Sequence, residues 1–306
     1  MDQLEHVPVL FSEVLEYLQP RPGGAYIDGT LGAGGHTEGI LRLSAPDGRV
    51  LVFDRDPEAI AYSRKRLQAY GDRLTFVNAS YAEMNKVAPR FGFGAVGGIL
   101  LDLGLSSRQL DSAARGFSFQ KDGPLDMRFD PALETTAASI VNEMDEAELA
   151  LLLRRYGEVP RSGYVARLIV ENRPLTTTTE LADLLARKLP RRGRIHPATQ
   201  VFQALRIAVN DELGELEQGL TAALETLAPG GRLAVISFHS LEDRLVKQTF
   251  REWARDCICP PQQPICTCDK QAVTRQVTRG AVKASDEEIA ANPRSRSARL
   301  RVVEKL

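Results

Sequence analysis

Short apolar runs alternate with amphipathic stretches over the first third of the chain. Four of the runs, "AYIDG", "RVLVFDRD", "LTFVNASY" and "GGILLDLG", are rich in aliphatic residues. Between the second and third runs, "PEAIAYSRKRLQAYG" has helical spacing, with Asp56 and Pro57 at its start and Gly71 at its end. Those three residues are typical of helix boundaries. Continuous apolar runs favour parallel strands buried on both faces, so the pattern predicts a doubly wound, Rossmann-like α/β sheet.

The strand pattern disappears between about residues 110 and 195. There "DEAELALLLRRYGE", "SGYVARLIVENR" and "TTTTELADLLARKL" carry their apolar residues at helical spacing. A long helical stretch that breaks near Asn210 follows, and then strands "GGRLAVISFHS" and "ARLRVVEKL". We therefore expect a discontinuous α/β domain, residues 1–109 and 196–306, with an inserted all-helical domain, residues 110–195.

Composition narrows the class of protein. The chain has 306 residues, of which 43% are hydrophobic and 26% charged, an ordinary globular mixture. No apolar run approaches the roughly 20 residues of a membrane span, and the acidic N-terminus does not resemble a secretory signal, so we expect a cytoplasmic protein. The net charge of −1 argues against non-specific coating of nucleic acid. Local basic runs, such as Arg187–His196, are either solvated faces or contacts with one particular anionic partner.

The stretch "YIDGTLGAGGHTEGIL" places a glycine-rich loop between the first strand and a helix. A dinucleotide loop would have a third glycine where Thr37 stands, and the loop lacks the lysine of a Walker motif. The pattern Asp28-x-Thr30-x-Gly32-x-Gly34 is close to the loop of S-adenosylmethionine-dependent methyltransferases. The carboxylate of that cofactor suits the N–H groups at a helix start.

Polar residues end the next strands in order. Asp54 stands 20 residues after Gly34, where an acid accepts hydrogen bonds from ribose hydroxyls. Tyr81 follows the third strand and can stack on adenine, and Asp102 ends the fourth strand. In a doubly wound sheet these strand ends share one crevice, so the set predicts S-adenosylmethionine binding. The alternative for each residue alone is a strand-end turn or a helix cap.

Several motifs together resemble the ribosomal RNA small subunit methyltransferase H family. They include "VFDRDPEAI", "GILLDLGLSSRQLD", "HPATQVFQALRIAVNDEL" and "LAPGGRLAVISFHSLEDRLVK", and the likeness runs from His6 to about Val303. The resemblance implies methylation of N4 of one cytidine of 16S ribosomal RNA, by a methyltransferase core with an inserted helical domain. The near-neutral charge favours the 30S subunit over naked RNA as substrate. The cofactor-binding residues that the resemblance implies are Gly34, Gly35, His36, Asp54, Tyr81, Asp102 and Gln109.

Three residues are candidates for a catalytic role toward the cytosine amino group, a poor nucleophile that must lose a proton. Asp102 ends a strand of the predicted crevice, but the resemblance places it on the cofactor. His239 in "SFHSLED" ends a later strand and is the better candidate to face the base or take the proton, and Asn210, in an apolar helix, could hold the base edge. The alternative for His239 is a hydrogen-bonded strand-end residue. The alternative for Asn210 is a structural role, in which its buried side-chain amide stabilises the break in the helix.

The segment "RGFSFQKDGPLDMRFD" mixes cations with aromatic residues, a combination that suits an unstacked RNA base and its phosphates. In the alternative interpretation, the segment is a structural loop that attaches the inserted helical domain to the α/β domain. The substrate-binding candidates in it are Arg115, Phe117, Phe119, Lys121 and Arg128.

All four cysteines fall in "CICPPQQPICTC", with spacing C-x-C-x₆-C-x-C. Four thiolates on one hairpin can bind a structural Zn²⁺ tetrahedrally. Two disulfides are the less favoured alternative in a reducing cytoplasm. The candidate metal ligands are Cys257, Cys259, Cys266 and Cys268.

Two other classes of protein compete with the methyltransferase interpretation. A non-catalytic RNA-binding ribosome assembly factor would keep the cofactor pocket as a relic, but such a pocket has no reason to retain every predicted contact. An NAD-dependent oxidoreductase is disfavoured by Thr37 in the glycine loop and by the absence of an evident hydride-transfer site in the sequence.

Overall fold

The structure is a computed structural model that describes residues 8–190, 196–260, 263, 265 and 267–306. The chain forms two compact units, Met1–Gly104 with Glu215–Leu306, and Leu105–Gly214. Among the described residues, no helix combines the length and the apolar character needed to cross a membrane.

Strands and helices alternate in the first unit. The strands are β1 (Ala25–Asp28), β2 (Arg49–Phe53), β3 (Leu74–Val77), β4 (Val96–Asp102), β5 (Leu227–Ser237), β6 (Thr274–Gln276) and β7 (Arg299–Lys305). The α-helices of the whole chain are α1 (Phe11–Leu18), α2 (Gly35–Leu43), α3 (Pro57–Arg66), α4 (Met84–Val87), α5 (Ser107–Asp111), α6 (Ala137–Glu143), α7 (Glu146–Gly157), α8 (Ser162–Glu171), α9 (Thr178–Lys188), α10 (Ala198–Asn210), α11 (Glu212–Thr226), α12 (Ser240–Trp253) and α13 (Asp286–Ala291).

One seven-stranded sheet has the order β3-β2-β1-β4-β5-β7-β6. The pairs from β3 to β5 are parallel, which confirms the expected parallel pairing of the first four strands. Strand β7 runs antiparallel to both β5 and β6. The order reverses between β1 and β4, which makes the carboxyl ends of these strands the expected ligand crevice. The sequence did not predict β6, because three residues are too few to show a period.

Apolar layers cover both faces of this sheet. Successive residues of β1 alternate between them: Ile27 packs in one core cluster with Leu51 and Leu101, and Tyr26 packs in the other with Val50. This double burial is the reason that the strands read as continuous apolar runs rather than as alternating ones.

Local signals identified the start of α3 and the break near Asn210. The Asp56 carboxylate accepts a hydrogen bond from the Glu58 N–H at 2.9 Å, and Pro57 opens α3 as expected. The helix ends at Arg66 rather than at Gly71, which lies in a following 3₁₀ segment. The expected break near Asn210 is confirmed, because α10 ends there and the next residue has a φ of 47°.

The second unit, Leu105–Gly214, is helical. Its core joins the apolar faces of α6 to α10. The unit extends beyond the boundary expected at residue 195, because Val201, Phe202 and Leu205 of α10 are buried in that core with Leu149 of α7.

Substitution by alanine should have opposite effects on stability at two helical glycines. A Cβ on Gly219 of α11 would lie 2.2 Å from the Tyr81 ring, whereas a Cβ on Gly163 of α8 would meet no atom within 4 Å. Alanine is favoured over glycine in helices by roughly 0.5–1 kcal/mol. We expect Gly163→Ala to raise the melting temperature and Gly219→Ala to lower it, as measured by circular dichroism. A stabilising Gly219→Ala would show that the Tyr81 ring does not pack against α11.

Candidate active site

A tight loop joins β1 to α2. Gly32 and Gly34 have φ angles of 50° and 78°, in the left-handed region that other residues rarely adopt. A Cβ on Gly34 would also lie 2.8 Å from a side-chain carbon of Leu67. Helix α2 therefore begins at Gly35 directly beside the sheet, and the N–H groups of its first turn lie at the carboxyl end of β1.

Asp28, at the end of β1, is almost completely buried and anchors this loop. Its carboxylate accepts hydrogen bonds from the Thr30 N–H at 3.1 Å and from the Thr37 hydroxyl at 2.6 Å. Burial raises the pKa of Asp28, and the two hydrogen bonds oppose the rise. Thr37, which replaces the third glycine of a dinucleotide loop, therefore has a structural partner. The sequence showed the signal for Asp28, an acid at the end of an apolar run, but Asp28 was not among the predicted site residues.

Asp54 follows β2 and faces the same loop. One carboxylate oxygen accepts from the Gly32 N–H at 2.9 Å and the other from the Asp56 N–H at 2.8 Å. Each oxygen keeps a further lone pair for another donor. Burial raises the pKa of Asp54 to about 6, against the lowering effect of these hydrogen bonds.

Asp102 ends β4, the strand beside β1. Its N–H donates to the Thr30 hydroxyl at 2.6 Å, and its Oδ1 is a buried acceptor with no hydrogen-bond partner in the described part of the chain. Burial, reinforced by the nearby charge of Asp28, raises the pKa of Asp102 to about 7. Asp102 is therefore partly protonated at neutral pH.

His36 lies in the first turn of α2, where the Phe11 ring stacks on it at a centroid distance of 5.9 Å. Its Nε2 is 3.7 Å from Oδ2 of Asp102, and neither ring nitrogen forms a well-aligned hydrogen bond among the described residues, although the Val9 backbone lies close enough to oppose the effect of burial on its pKa. Burial lowers the pKa of His36 to about 4, so the imidazole is neutral at pH 7. The contact with Asp102 is consequently not an ion pair. It leaves two polar groups available to a ligand.

The carboxyl ends of three adjacent strands, β2, β1 and β4, thus bring Asp54, Asp28 and Asp102 together. Within the described ranges, none of the three forms an ion pair with Lys or Arg. Desolvation without a compensating cation explains why all three pKa values are raised. Chemically, the site suits a ligand with positive charge.

Tyr81 is buried in a short turn after β3, and its ring lies against the backbone of Gly219. A polar network supports this side of the unit. The Ser80 hydroxyl donates to one oxygen of Glu215, and the Arg55 guanidinium contacts the other at 2.9 Å. These contacts join the ends of β2 and β3 to α11.

Gln109, implied as a cofactor contact by the resemblance, belongs to the helical unit. Its Oε1 accepts from the Ser106 N–H at 3.0 Å, and its own N–H donates to the Ser106 hydroxyl at 3.2 Å. The residue therefore forms a capping box at the start of α5. Its contact with the cofactor stays a prediction.

His239 follows β5 and caps α12. Its Nδ1 is 3.4 Å from the Glu242 N–H, and its Nε2 is 3.0 Å from Oε1 of Glu242, although that second contact is not aligned as a hydrogen bond. Glu242 is buried and also accepts from the Phe238 N–H at 2.8 Å. Both ring nitrogens thus face one neighbouring residue. This geometry favours the structural alternative for His239.

Asn210 ends α10 and is buried within the helical unit. Its Oδ1 accepts from the Phe129 N–H at 2.7 Å, and its Nδ2 donates to the carbonyls of Met127 at 2.7 Å and Arg206 at 2.9 Å. Both donor hydrogens of the amide are used in this way. The contacts favour a structural role, because they tie residues 127–129 to the helix end.

Several side chains of the predicted RNA-binding segment, residues 115–130, contact other residues of the same segment. Arg115 donates to the carbonyls of Arg128 at 3.0 Å and Phe129 at 2.9 Å. Arg128 in turn makes two contacts with the Asp126 carboxylate, at 2.9 and 2.7 Å. Phe117 and Phe129 stack at 5.3 Å.

The other two candidates in this segment differ in exposure. The Phe119 ring packs against His196 and Phe202 of the same unit, with centroid distances of 4.8 and 4.9 Å. Lys121 is exposed, and its Nζ lies 3.4 Å from the Asp111 carbonyl. Of the five predicted substrate-binding residues, Lys121 is therefore the one whose charge lies mainly in solvent.

Three of the cysteines lie between α12 and β6. Cys257, Cys259 and Cys268 are partly exposed and close together. The fourth predicted ligand, Cys266, lies outside the described residues.

The chain matches the family model of the MraW methylase family over residues 3–306. It is 52% identical over 307 residues to a protein of Symbiobacterium thermophilum named "Ribosomal RNA small subunit methyltransferase H", and the match covers 98% of this chain and 96% of the relative. Proteins of the same name in Syntrophobacter fumaroxidans and Thermomicrobium roseum are each 54% identical to it. Those matches cover 99% and 98% of this chain, and 97% and 94% of the relatives.

Two comparisons indicate the same family. The family model spans almost the whole chain, and the relatives are more than half identical to it over nearly their full lengths. They also agree with a sheet whose order reverses at a glycine loop flanked by strand-end acids. The chain belongs to the MraW methylase family.

Proposed function

We propose that this protein transfers a methyl group from S-adenosylmethionine to N4 of one cytidine in the 16S ribosomal RNA of the small subunit, and that it acts in the cytoplasm. The observation that carries the proposal is the set of three strand-end carboxylates, Asp28 buried and Asp54 and Asp102 partly buried, without a cationic partner among the described residues. The relatives, which are named as methyltransferases of small-subunit ribosomal RNA, support the same substrate.

The charge of the site discriminates between cofactors. S-adenosylmethionine carries a sulfonium and an ammonium group, which the three carboxylates attract. The diphosphate of NAD is an anion, which they repel. A relic pocket in a non-catalytic assembly factor would not need to keep acids whose ionisation is opposed by burial, so the same observation favours a working enzyme over that alternative.

Each residue of the crevice has a proposed role. The first free N–H groups of α2, beginning at Gly35, receive the carboxylate of the cofactor, and Asp54 accepts from its ribose hydroxyls. The Gly34 N–H already donates to the Leu31 carbonyl at 2.8 Å, so the role proposed for Gly34 is to let the loop turn beside the cofactor. Tyr81 forms part of the adenine side, and neutral His36 offers a polar nitrogen beside Asp102. For Gln109, the proposal rests on the family resemblance.

Asp102 is the best-placed group for the methyl acceptor. S-adenosylmethionine, when bound, supplies an electrophilic methyl group. The Oδ1 atom of Asp102 is a buried acceptor that still lacks a partner in the described chain. In its ionised form it can accept a hydrogen bond from the cytosine amino group and then take the proton that this nitrogen loses. Burial raises the pKa of this carboxyl to about 7 in the protein alone, and the positive charge of the bound cofactor favours its ionised form, which is the form that accepts the proton.

We propose that the helical unit recognises the RNA, as an insertion in a discontinuous methyltransferase domain. Arg115 and Arg128 bind carbonyls and a carboxylate of their own segment, so we infer that they stabilise the loop. We propose that Lys121 is the residue of this segment that contacts the RNA. We infer structural roles for Asn210 and His239 from their hydrogen bonds. The net charge of −1 supports the assembled 30S subunit as substrate over naked RNA.

Asp54→Ala should weaken the binding of S-adenosylmethionine at least tenfold, because hydrogen bonds to a charged group contribute about 1.5–3 kcal/mol. Calorimetry with the folded variant measures the loss. Asp72→Ala removes an exposed acid from the same unit and should leave the affinity unchanged. Equal affinities for the wild type and Asp54→Ala would refute the ribose assignment.

Cofactor affinity should rise as the pH increases from 5 to 7. In the protein alone, Asp54 and Asp102 have pKa values of about 6 and about 7, so both bind protons at pH 5. A cationic ligand favours their ionised forms, and its binding must release those protons. The expected gain is roughly tenfold per pH unit for each acid that titrates.

Calorimetry in buffers of different ionisation enthalpy counts the protons released. In Asp102→Asn, the proton release and the change of affinity near pH 7 should disappear, and those near pH 6, which belong to Asp54, should remain. An affinity that does not change with pH, together with no proton release, would contradict a cationic ligand for these acids.

The activity itself is tested by incubating 30S subunits that lack the modification with labelled S-adenosylmethionine. Nuclease digestion and chromatography should then place the label in N4-methylcytidine, and naked 16S RNA should be the poorer substrate. Asp102→Asn should lower the single-turnover rate by about 10²–10⁴ at saturating cofactor, the usual range for acid–base catalysis. His239→Asn should change the rate much less, because asparagine also caps helices. Label in another nucleoside, or a larger loss in His239→Asn, would overturn the respective assignment.

A further inference from the structure

The segment between Trp253 and Thr274 carries every cysteine of the chain. Its base is closed by a hydrogen bond from the Val273 N–H to the Trp253 carbonyl at 2.8 Å. Of its described residues, Ile258 and Ile265 are 54% and 74% exposed, so these two side chains contribute little apolar burial.

The sulfur atoms of Cys257, Cys259 and Cys268 all lie within 4.8 Å of one another. Those of Cys257 and Cys268 are 3.8 Å apart. Zinc–thiolate bonds of about 2.3 Å in a tetrahedron place two sulfurs about 3.8 Å apart, whereas a disulfide bond is about 2.05 Å long. The separation of this pair therefore matches two corners of a zinc–thiolate tetrahedron.

Backbone amides point at two of these sulfurs. The Ile258 N–H donates to Sγ of Cys268 at 3.4 Å, and the Cys259 N–H donates to Sγ of Cys257 at 3.3 Å. Such donors stabilise negative charge on sulfur and orient the ligands of a metal. Ile258 and Cys268 are ten residues apart, so this first contact brings the two C-x-C pairs together, whereas the second lies within one pair.

We propose that Cys257, Cys259 and Cys268 supply three of the four ligands of one structural Zn²⁺, which links the chain after α12 to the chain before β6. The inference goes beyond the proposed methylation and does not depend on it. Strand β6 is the edge strand of the sheet and lies three strands from β4, where Asp102 stands. The metal therefore orders the sheet edge and takes no part in methyl transfer.

Elemental analysis tests the proposal on the full-length, tag-free chain, purified without chelator and after dialysis with Zn²⁺. We expect one zinc per chain in the wild type and in Ile258→Ser, a matched control that changes an exposed side chain of the same segment. The double variant Cys257→Ser/Cys268→Ser should bind none. With Co²⁺ in place of zinc, the wild type should show sulfur-to-cobalt charge-transfer absorption.

A second measurement uses the wild type alone, so it holds even if the variant misfolds. Arg255 and Lys270 flank the cysteines, and limited trypsin digestion there should become at least several-fold faster after chelation and slow again when Zn²⁺ is restored. The proposal is overturned if the wild type takes up neither Zn²⁺ nor Co²⁺ or if the double variant retains the metal. It is also overturned if mass spectrometry finds the cysteines paired as disulfides.

Discussion

Asp28, Asp54 and Asp102 stand at the ends of three neighbouring parallel strands, and within the described chain none has a cationic partner. Burial opposes the ionised form of each, which raises their pKa values. One pKa unit corresponds to about 1.36 kcal/mol, so keeping these acids ionised at neutral pH costs several kcal/mol. A bound cation offsets this cost. The site therefore lacks a compensating positive charge, and a positively charged cofactor supplies it.

The rest of the α/β unit holds the acids in this unfavourable arrangement. The sheet is covered by apolar side chains on both faces, and separating its strand ends to hydrate the carboxylates further would expose that apolar surface. The loop after β1 is fixed to the acids through Thr30, Thr37 and Gly32, whose donors leave part of each carboxylate unsatisfied. Stability and function therefore conflict at this crevice, as is common at functional sites.

Several polar residues that suit catalysis or RNA binding by type are used to build the fold. Asn210 holds a loop 81 residues away from it in the chain. Arg115 and Arg128 satisfy backbone carbonyls and a carboxylate of their own segment. The Nδ1 atom of His239 accepts from the Glu242 N–H and caps α12. A buried polar group is costly unless it is hydrogen-bonded, so once such partners are in place the group is less available to a ligand.

The sequence alone determined the features that depend on local burial and local backbone geometry. The apolar runs identified the parallel strands, Asp56 with Pro57 identified the start of α3, and the glycine spacing with Asp54 indicated the cofactor class. Only the tertiary structure decided the antiparallel β7, the short β6, the extension of the helical unit to Gly214, and the partners of the candidate polar residues. The reason is that periodicity records which positions are buried, whereas sheet direction and hydrogen-bond partners depend on segments that are distant in sequence and meet only in the folded chain.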